Sequence, residues 1–435
     1  MPSPDTINLL GTIGVFLLLL FSLKNPFYGL LSYLGTMIMR IGLIYPELGE
    51  MRIELLVGLL VLAEIFVKRG NSFAKLRLGY NPVNRFMLLF FVVIMLSFVQ
   101  AWDYTFSWND VVFEFIKIYL FFIMILTLVE SEGDLKRFFW AFSLLTILID
   151  YEGIYSYFTG SSTYVFQGID VAVASQGFAS GHVAAANMQL QCLPIMIYLM
   201  LGTRKVAFKV LAGFMAILSL VGVIASGSRG GFLGLIVLGA LIVYFSKRKV
   251  LTLILCSVTV IALGGLFSSS YLAWMSSITD YSGEVSANSR ISGLENGIEM
   301  LIKRPIFGVG PGCYALARKA YFGWGLDAHN HFGQLMGELG IIGSLVWGFF
   351  IFHVLKNVKR AKKSLREAGN IDLTYLVCGI QVALIVRLFE GMFSHSLYIF
   401  FWYMMAALSI VIVKSIEINK GSNDKRDTEI LSPKG

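Results

Sequence analysis

The amino-acid sequence is poor in charged residues. Only 14% of its 435 residues are Asp, Glu, Lys or Arg, whereas 57% are hydrophobic and the mean hydropathy is +0.74. Soluble domains contain about 25% charged and about 45–50% apolar residues. The composition therefore excludes an ordinary soluble domain, and we expect a lipid bilayer, but no nucleic acid, among the partners of this chain.

Cysteine and histidine are also scarce. Three of the four cysteines fall inside apolar segments and the fourth stands alone in a loop, so no disulfide or cysteine–metal framework is predicted. The first apolar run lacks a basic region before it and a small-residue cleavage site, so we expect no cleavable signal peptide. There are only five histidines, and two of them flank one asparagine, Asn330.

Long apolar runs are what the sequence has in abundance. About 18 apolar residues suffice to span a hydrocarbon core about 30 Å thick. We predict an all-α polytopic membrane protein of about 12–13 transmembrane helices. The twelve-span alternative merges or demotes one of the first two segments, which only SLKNP separates. The predicted segments are 7–23, 27–44, 53–67, 86–101, 111–129, 138–158, 182–201, 206–225, 230–245, 250–267, 333–355, 371–390 and 394–413.

The loops between these segments differ in charge. Those at 102–110 and 159–181 have no Lys or Arg, whereas basic loops occur at 68–85, 132–137, 203–205, 246–249 and 356–366. Basic loops stay in the cytoplasm, so 226–230 and the long 268–332 loop are expected outside. The predicted parts are an N-terminal transmembrane bundle at 1–267, the large loop at 268–332, transmembrane helices at 333–414 and a cytoplasmic tail at 415–435.

The large outward loop is too long for a simple connection and is expected to be folded. Its segment NSRISGLENGIEMLIKRP predicts a helix that Asn288 or Ser289 caps and Pro305 ends. This helix would lie on the membrane surface or pack over the bundle. Its apolar face would consist of Ile291, Leu294, Ile298 and Leu301.

Arginines stand out on the predicted outer side. Arg229 lies in the short outward stretch ASGSRGGFLGL, whose glycines would let the backbone approach an anionic ligand; the alternative is an arginine that reaches lipid headgroups. Arg290 lies in the first turn of the predicted loop helix, where the macrodipole disfavours a cation unless an anion shares the site. The alternative is a solvated arginine or a partner for Glu295. Arg304 is a further candidate contact for the same ligand.

The segment DAHNHFGQLMGELG holds the histidine pair. His329 and His331 stand just before an apolar segment, where a histidine acts either as a structural hydrogen-bonding group or as a general base. Asn330 between them is a candidate substrate contact. We predict no metal site, because no carboxylate or third histidine stands at ligand spacing, and His182 and His395 are distant in sequence.

Charged residues also occur within the predicted spans. Arg387 and Glu390 are three residues apart, so they can pair on one helix face. We favour an ion pair that holds helices together over a substrate path, although intramembrane charges serve both purposes.

The residues on the outer side fit a transfer reaction. Arginine binds phosphate through a forked set of donors, and a neighbouring histidine can deprotonate a hydroxyl that displaces a phosphate leaving group. The membrane setting predicts a lipid-linked donor. These residues do not identify the group that is transferred.

Three runs resemble the core of the O-antigen ligase and polymerase superfamily. They are SGSRGGFLGL, NSRISGLENGIEMLIKRPIFGVGPGCY and HNHFGQLMGELGIIGSL, which together cover about 220 to 345. The ligase signature is His followed by Asn, Ser or Gln, then nine residues and Gly-x-x-Gly. His329, Asn330, Gly340 and Gly343 match it.

The resemblance implies a GT-C-like glycosyltransferase of the bacterial inner membrane with its active site on the periplasmic face. The donor would be a glycan on undecaprenyl diphosphate, and neither metal nor other cofactor would be needed. Arg229 and Arg290 would hold the diphosphate and stabilise the leaving group, and His329 would activate the acceptor hydroxyl, with inversion at the anomeric carbon. Asn330, His331 and Arg304 would be supporting contacts.

Members of the superfamily differ in their acceptor. A ligase uses lipid A–core oligosaccharide, a polymerase uses another lipid-linked repeat unit, and an O-oligosaccharyltransferase uses protein Ser or Thr. The signature favours a ligase. A transporter of lipid-linked glycan would need basic residues within several spans and paired repeats, neither of which we find, and a scaffold of an export complex would have no use for His329.

Overall fold

The computed structural model describes residues 3–160, 165–166, 169–172, 182–264 and 285–431. In these residues the helices are α1 (Pro4–Ser22), α2 (Pro26–Met39), α3 (Ile41–Ile44), α4 (Pro46–Glu50), α5 (Ile53–Arg69), α6 (Pro82–Phe98), α7 (Tyr104–Phe106), α8 (Phe113–Leu128), α9 (Glu132–Thr159), α10 (His182–Gly202), α11 (Val206–Ala225), α12 (Arg229–Phe245), α13 (Lys249–Gly264), α14 (Val285–Lys303), α15 (Tyr314–Phe322), α16 (His331–Glu367), α17 (Ile371–Glu390) and α18 (Phe400–Leu431). A 3₁₀ turn (Gly70–Leu76), a π turn (Ser107–Val112) and two antiparallel two-residue strands, β1 (Val165–Phe166) and β2 (Ile169–Asp170), complete the fold.

Local sequence explains where several helices begin. Asn25 precedes Pro26, and its side chain accepts a hydrogen bond from the Phe27 amide at 3.1 Å. Asn81 caps α6 in the same way, accepting from the Val83 amide at 3.0 Å. An Asn cap followed by proline satisfies one amide that the first turn leaves unpaired and presets the helical φ of the next residue.

The protein is an all-α polytopic membrane protein. Among the described residues, eight helices are long and apolar enough to cross a membrane, and three shorter apolar helices accompany them. Each of the thirteen predicted apolar segments overlaps a helix, and residues 265–267 of the tenth segment lie outside the described residues. In the described part of the predicted outer loop, residues 285–332, the helices are α14 and α15, whereas residues 268–284 lie outside the description.

Three predicted boundaries are wrong. The 27–44 segment is interrupted at Arg40, which has a left-handed φ of 48°, so α2 ends at Met39. Helix α16 runs on through the basic 356–366 stretch, which we had expected to be a loop. The last span begins at Phe400 rather than at 394, because residues 391–399 form a loop that folds over the end of α16.

The bundle is centred on α16, α17 and α18. Helix α10 packs against α11 and α17, and α16 packs against α6, α14 and α18. The membrane part of α18 is almost wholly enclosed, with Trp402 and Tyr403 at 0% exposure. Large side chains on α1, α5, α11 and α13 remain exposed, as expected for helices that face lipid.

Ion pairs join helix ends at the basic side of the bundle. Lys136 of α9 pairs with Asp372 of α17 at 3.3 Å, and Arg360 of α16 pairs with Glu417 of α18 at 3.2 Å. Arg69 pairs with Glu130 at the ends of α5 and α8. These residues lie at or next to loops that the charge pattern assigns to the cytoplasm.

The helix predicted within the outer loop is present as α14, but its predicted start was wrong. It begins at Val285, so Arg290 lies in its second turn rather than its first, and the macrodipole argument for an anion loses force. The predicted apolar face is not the buried one, since Ile291 and Ile298 are 57% and 42% exposed. The buried face of α14 is formed by Gly293, Asn296, Gly297 and Met300.

Candidate active site

Four segments that are distant in sequence meet at one end of the bundle. Arg229 begins α12, Arg290 lies on α14, His329 precedes α16, and His395 lies in the 391–399 loop. The Arg290 guanidinium lies over the Phe393 ring at 5.8 Å, and the His329 and His395 rings are 5.4 Å apart. Gly230, which follows Arg229, also lies against Phe393, and Gly293 on α14 lies against Ala328, next to His329. The structure thus brings Arg229, Arg290 and His329 together.

Glycines hold α14 against α16 and so place Arg290 beside His329. A Cβ atom added to Gly293 would lie 1.7 Å from the Ala328 carbonyl oxygen, and one on Gly297 would lie 2.3 Å from the Gly333 carbonyl oxygen. Glycine spacing of this kind lets helix backbones approach closely in membrane proteins. Because Ala328 adjoins His329, this contact couples the position of α14 to that of the histidine.

The glycines around Arg229 also serve packing. A Cβ on Gly230 would lie 3.1 Å from Cβ of Phe393, and one on Gly231 would lie 2.8 Å from Cβ of Ala186. The Gly231 amide donates to the Ser228 hydroxyl at 3.1 Å, which caps α12. These glycines therefore bring α12 onto α10 and the 391–399 loop, rather than forming a cradle for a ligand.

Arg318 of α15 fixes the chain that leads to His329. Its guanidinium is buried, stacks on Trp324 at 3.6 Å, and donates to the carbonyl of Asp327 at 3.1 Å and to the Ser292 hydroxyl at 2.7 Å. His329 itself has a left-handed φ of 44°. Such a backbone is uncommon outside glycine and persists where its surroundings enforce it.

The polar residues that follow His329 hold the 391–399 loop. Asn330 caps α16 by accepting from the Phe332 and Gly333 amides, both at 3.0 Å, and donates to the Met392 carbonyl at 3.3 Å. His331 is 0% exposed, contacts Ser396 at 3.1 Å through Nδ1 and packs between Trp347 and Trp402. Both residues face protein, and they support the loop that carries Phe393 and His395.

Glu338, near the start of α16, binds the two loops beside this helix. Its Oε2 accepts a hydrogen bond from the Gly312 amide at 2.9 Å and from the Tyr398 hydroxyl at 2.7 Å. One turn earlier, Gln334 accepts from the Leu397 amide at 3.1 Å. The polar residues of the segment thus serve as anchors for the two loops beside α16.

We expect Glu338→Ala to destabilise the protein, because it removes the acceptor of two buried hydrogen bonds. Each donor left unsatisfied costs about 1–3 kcal/mol. Thermal unfolding in detergent, followed by intrinsic fluorescence, should show a lower midpoint for this variant than for Glu299→Ala, which changes an exposed glutamate of α14. Equal midpoints for the two variants would contradict the anchoring role of Glu338.

The Gly-x-x-Gly part of the signature shapes α16. Gly340 has φ 65° and ψ −161°, which interrupts the helix and frees carbonyl groups one turn earlier. The Val309 amide donates to the freed carbonyl of Gly337 at 2.9 Å, and the Gly310 amide to that of Glu338 at 3.1 Å. A Cβ at Gly340 would lie 2.6 Å from the Ile306 carbonyl oxygen, so only glycine fits there.

The electrostatics of the site favour a neutral histidine between cations. Burial, followed by the charge of His395, lowers the pKa of His329 below its ordinary value, whereas Asp327 acts in the opposite direction. Burial and then Arg229 lower the pKa of Arg290, yet an arginine stays protonated at neutral pH. In the described part of the chain no salt bridge joins Arg290 to Glu295. The arrangement suits an anionic ligand with a proton acceptor beside it.

Arg304, a further sequence candidate, lies apart from this cluster. Arg304 is exposed just beyond the end of α14, about 21 Å from Arg290 at 1.5 Å per residue. The predicted pairing of Arg387 with Glu390 is confirmed, at 3.2 Å and with both side chains buried. Among the described residues, no three His, Cys, Asp or Glu side chains are grouped to hold a metal ion.

Sequence reasoning missed four residues of the site. They are Phe393 beneath Arg290, His395 beside His329, Asp327 next to His395, and the buried Arg318. The one available signal was the histidine itself, in FSHS, because histidine is rare in this chain. The distance of His395 from His329 in sequence says nothing about their distance in space.

Comparison with family models identifies the region that carries this cluster. The model described as O-antigen ligase matches residues 214–348, which include Arg229, Arg290, His329 and both signature glycines. Residues 214–348 are therefore similar to the O-antigen ligase family. The match supports a glycosyltransferase of the ligase or polymerase type. A comparison with curated proteins found no match.

Proposed function

We propose that the protein transfers a glycan from undecaprenyl diphosphate to an acceptor hydroxyl at the periplasmic face of the bacterial inner membrane. The observation that carries this proposal is that α12, α14 and the 391–399 loop meet at Phe393, with Arg229 and Arg290 at this meeting point and the half-buried His329 beside it. The similarity of residues 214–348 to the O-antigen ligase family points to the same chemistry.

The side of the membrane follows from charge. The ion-paired basic residues, such as Lys136 and Arg360, lie in basic segments that the positive-inside rule assigns to the cytoplasm. The chain enters α12 from the opposite side, so Arg229 and its neighbours would face the periplasm. A lipid-linked donor would reach them from the outer leaflet.

The mechanism assigns one task to each group. Arg229 and Arg290 bind the diphosphate through charge-assisted hydrogen bonds. His329 accepts the proton of the acceptor hydroxyl as its oxygen bonds to the anomeric carbon, and the bond from that carbon to the diphosphate breaks with its electron pair. The arginines stabilise the charge that develops on the leaving group. Attack opposite the leaving group inverts the anomeric carbon.

The remaining candidate residues would not contact the diphosphate directly. Asn330 and His331 would act on substrate through the loop they hold, since both face protein. Arg304 would reach only a part of the glycan about 21 Å from Arg290. The acceptor we propose is lipid A–core oligosaccharide, and the polymerase and protein-transferase alternatives differ only in that acceptor.

Purified full-length protein, reconstituted with an undecaprenyl-diphosphate-linked repeat unit, tests the function. Lipid A–core, a second lipid-linked repeat unit and a Ser/Thr-containing protein are offered separately. We expect transfer to lipid A–core without added metal or nucleotide sugar. Transfer only to repeat units or only to protein would reassign the acceptor. No transfer to any of the three would contradict the proposal.

Arg290→Ala should lower transfer by about 10²–10³-fold, the usual cost of one donor that stabilises developing charge. Arg290→Lys should recover part of the rate, because it restores a cation without the forked donors. Binding of undecaprenyl diphosphate alone should weaken in the same order. Arg360→Ala, which removes an exposed cation at the other end of the bundle, is the matched control. Equal activity of Arg290→Ala and Arg360→Ala would refute the assignment.

A further inference from the structure

A second histidine stands next to the proposed base. His395, from the loop between α17 and α18, has its ring 5.4 Å from that of His329. Its Nε2 is 3.9 Å from Oδ2 of Asp327. The side chains of His395 and Asp327 are 42% and 59% exposed, while His329 is half-buried. The three groups therefore form a path from the interior of the site to water.

Hydrogen bonds outside this path hold both the loop that carries His395 and the segment that carries Asp327. The His331 amide donates to the Gly391 carbonyl at 2.7 Å and the Leu397 amide donates to Gln334 at 3.1 Å, so the loop is held on each side of His395. Arg318 holds the Asp327 carbonyl at 3.1 Å. The placement of His395 against His329 thus follows from the packing of α15 and α16 rather than from a free surface loop.

The charges around His329 come from every element packed on it. Arg290 on α14, Arg318 on α15 and His395 in the 391–399 loop all oppose a positive charge on His329, and Asp327 alone favours one. For His395 the facing charges are Asp327, which favours its protonated form, and Arg387 on α17, which opposes it. Because the single carboxylate of this group lies beside His395, a proton on His329 is drawn toward that residue.

We propose that His395, oriented by Asp327, relays the acceptor's proton from His329 to solvent. The inference rests on the proposed function, in which His329 is the base. The acceptor O–H bond breaks and its proton passes to His329, while the oxygen bonds to the anomeric carbon and the diphosphate leaves with the electron pair. The proton then moves from His329 to His395, directly or through one water molecule, and on to bulk water. His329 is returned to its neutral form for the next turnover.

The test uses His395→Gln and Asp327→Asn in the full-length protein, with the undecaprenyl-diphosphate-linked repeat unit and lipid A–core. We expect His395→Gln to lower kcat by about tenfold, less than the roughly 10²–10⁴-fold of a direct base, with an unchanged KM for the donor. Added imidazole should restore part of this rate, since the position is open to solvent. His353→Gln changes a histidine of α16 that stacks on Phe86 of α6. This variant should leave kcat unchanged.

The pH profile separates a relay from a structural role. Loss of His395 removes a charge that lowers the pKa of His329, so the acidic limb of kcat should move to higher pH. Loss of the Asp327 charge removes the influence that raises this pKa, so Asp327→Asn should move the limb to lower pH. A damaged loop would not shift the limb in opposite directions in the two variants.

A failure of the proposed relay can be distinguished from a failure of the proposed function. Wild-type kcat and an unmoved acidic limb in His395→Gln, together with an inactive His329 variant, would refute the relay and leave the proposed function intact. A lowered kcat that imidazole does not restore, with an unmoved limb, would also refute the relay. An active His329 variant would instead refute the proposed function.

Discussion

Replacement of His329 by asparagine is expected to abolish most glycan transfer while leaving donor binding intact. A general base contributes about 10²–10⁴-fold to the rate, and the half-buried imidazole beside Arg290 is the group we assign to this task. Asparagine is a better replacement than alanine, because His329 has φ 44° and asparagine tolerates this left-handed region better. The variant removes the proton acceptor and keeps the backbone.

Two measurements separate chemistry from binding in this variant. Transfer from the lipid-linked repeat unit should fall, while the affinity for undecaprenyl diphosphate should stay within about twofold of wild type, because the arginines that we expect to bind it are untouched. His353→Asn is the matched control, since it changes a histidine of α16 that stacks on Phe86 of α6, away from the site. Wild-type transfer by His329→Asn would rule out this residue as the base.

The apolar pattern predicted the helices well, because a helix that crosses a membrane must be apolar over most of its length. It failed where apolar residues serve another purpose. Residues 394–399 were assigned to a span, yet this stretch forms a loop whose amide and hydroxyl groups are bound by α16, as with the Tyr398 hydroxyl on Glu338. Hydropathy contains no information about hydrogen-bond partners that come from another helix.

The face by which α14 packs on the bundle is not its apolar face. Periodicity assigns the largest apolar side chains to the buried side, but α14 packs through Gly293 and Gly297 and leaves Ile291 exposed. In a membrane, lipid is as apolar as isoleucine, so close backbone packing rather than apolar area decides which face is buried. An exposed isoleucine ridge on α14 is therefore compatible with contact to lipid.

The candidate site was predictable in part. The scarcity of arginine in outer segments and the histidine signature singled out Arg229, Arg290 and His329, which the structure brings together. The resemblance already favoured His329 as the base and made His331 a supporting contact, and the structure adds that His331 is enclosed by Trp347 and Trp402. Residues such as His395 could not be assigned, because their role depends on contacts made across the fold.

Replacement of Gly293 by alanine is expected to remove activity without touching any group that contacts substrate. The new Cβ would lie 1.7 Å from the Ala328 carbonyl oxygen, and that oxygen belongs to the backbone that carries His329. Either α14 or the 326–329 segment must move, so Arg290 and His329 can no longer keep their relative positions. A shift of about 1 Å in a catalytic group can cost about 10²-fold in rate, and we expect a loss of at least that size.

Gly348→Ala is the control that makes this result specific. Gly348 lies in α16 with nothing within 4 Å of an added Cβ, so its substitution should leave both transfer and thermal stability unchanged. Overpacking at Gly293 should also lower stability by about 1–3 kcal/mol, which helical content and unfolding temperature would report. Folded Gly293→Ala protein with wild-type transfer would mean that α14 need not lie against Ala328 for catalysis. The proposal that Arg290 and His329 act side by side across that contact would then be wrong, because the alanine cannot be accommodated without separating α14 from the 326–329 segment.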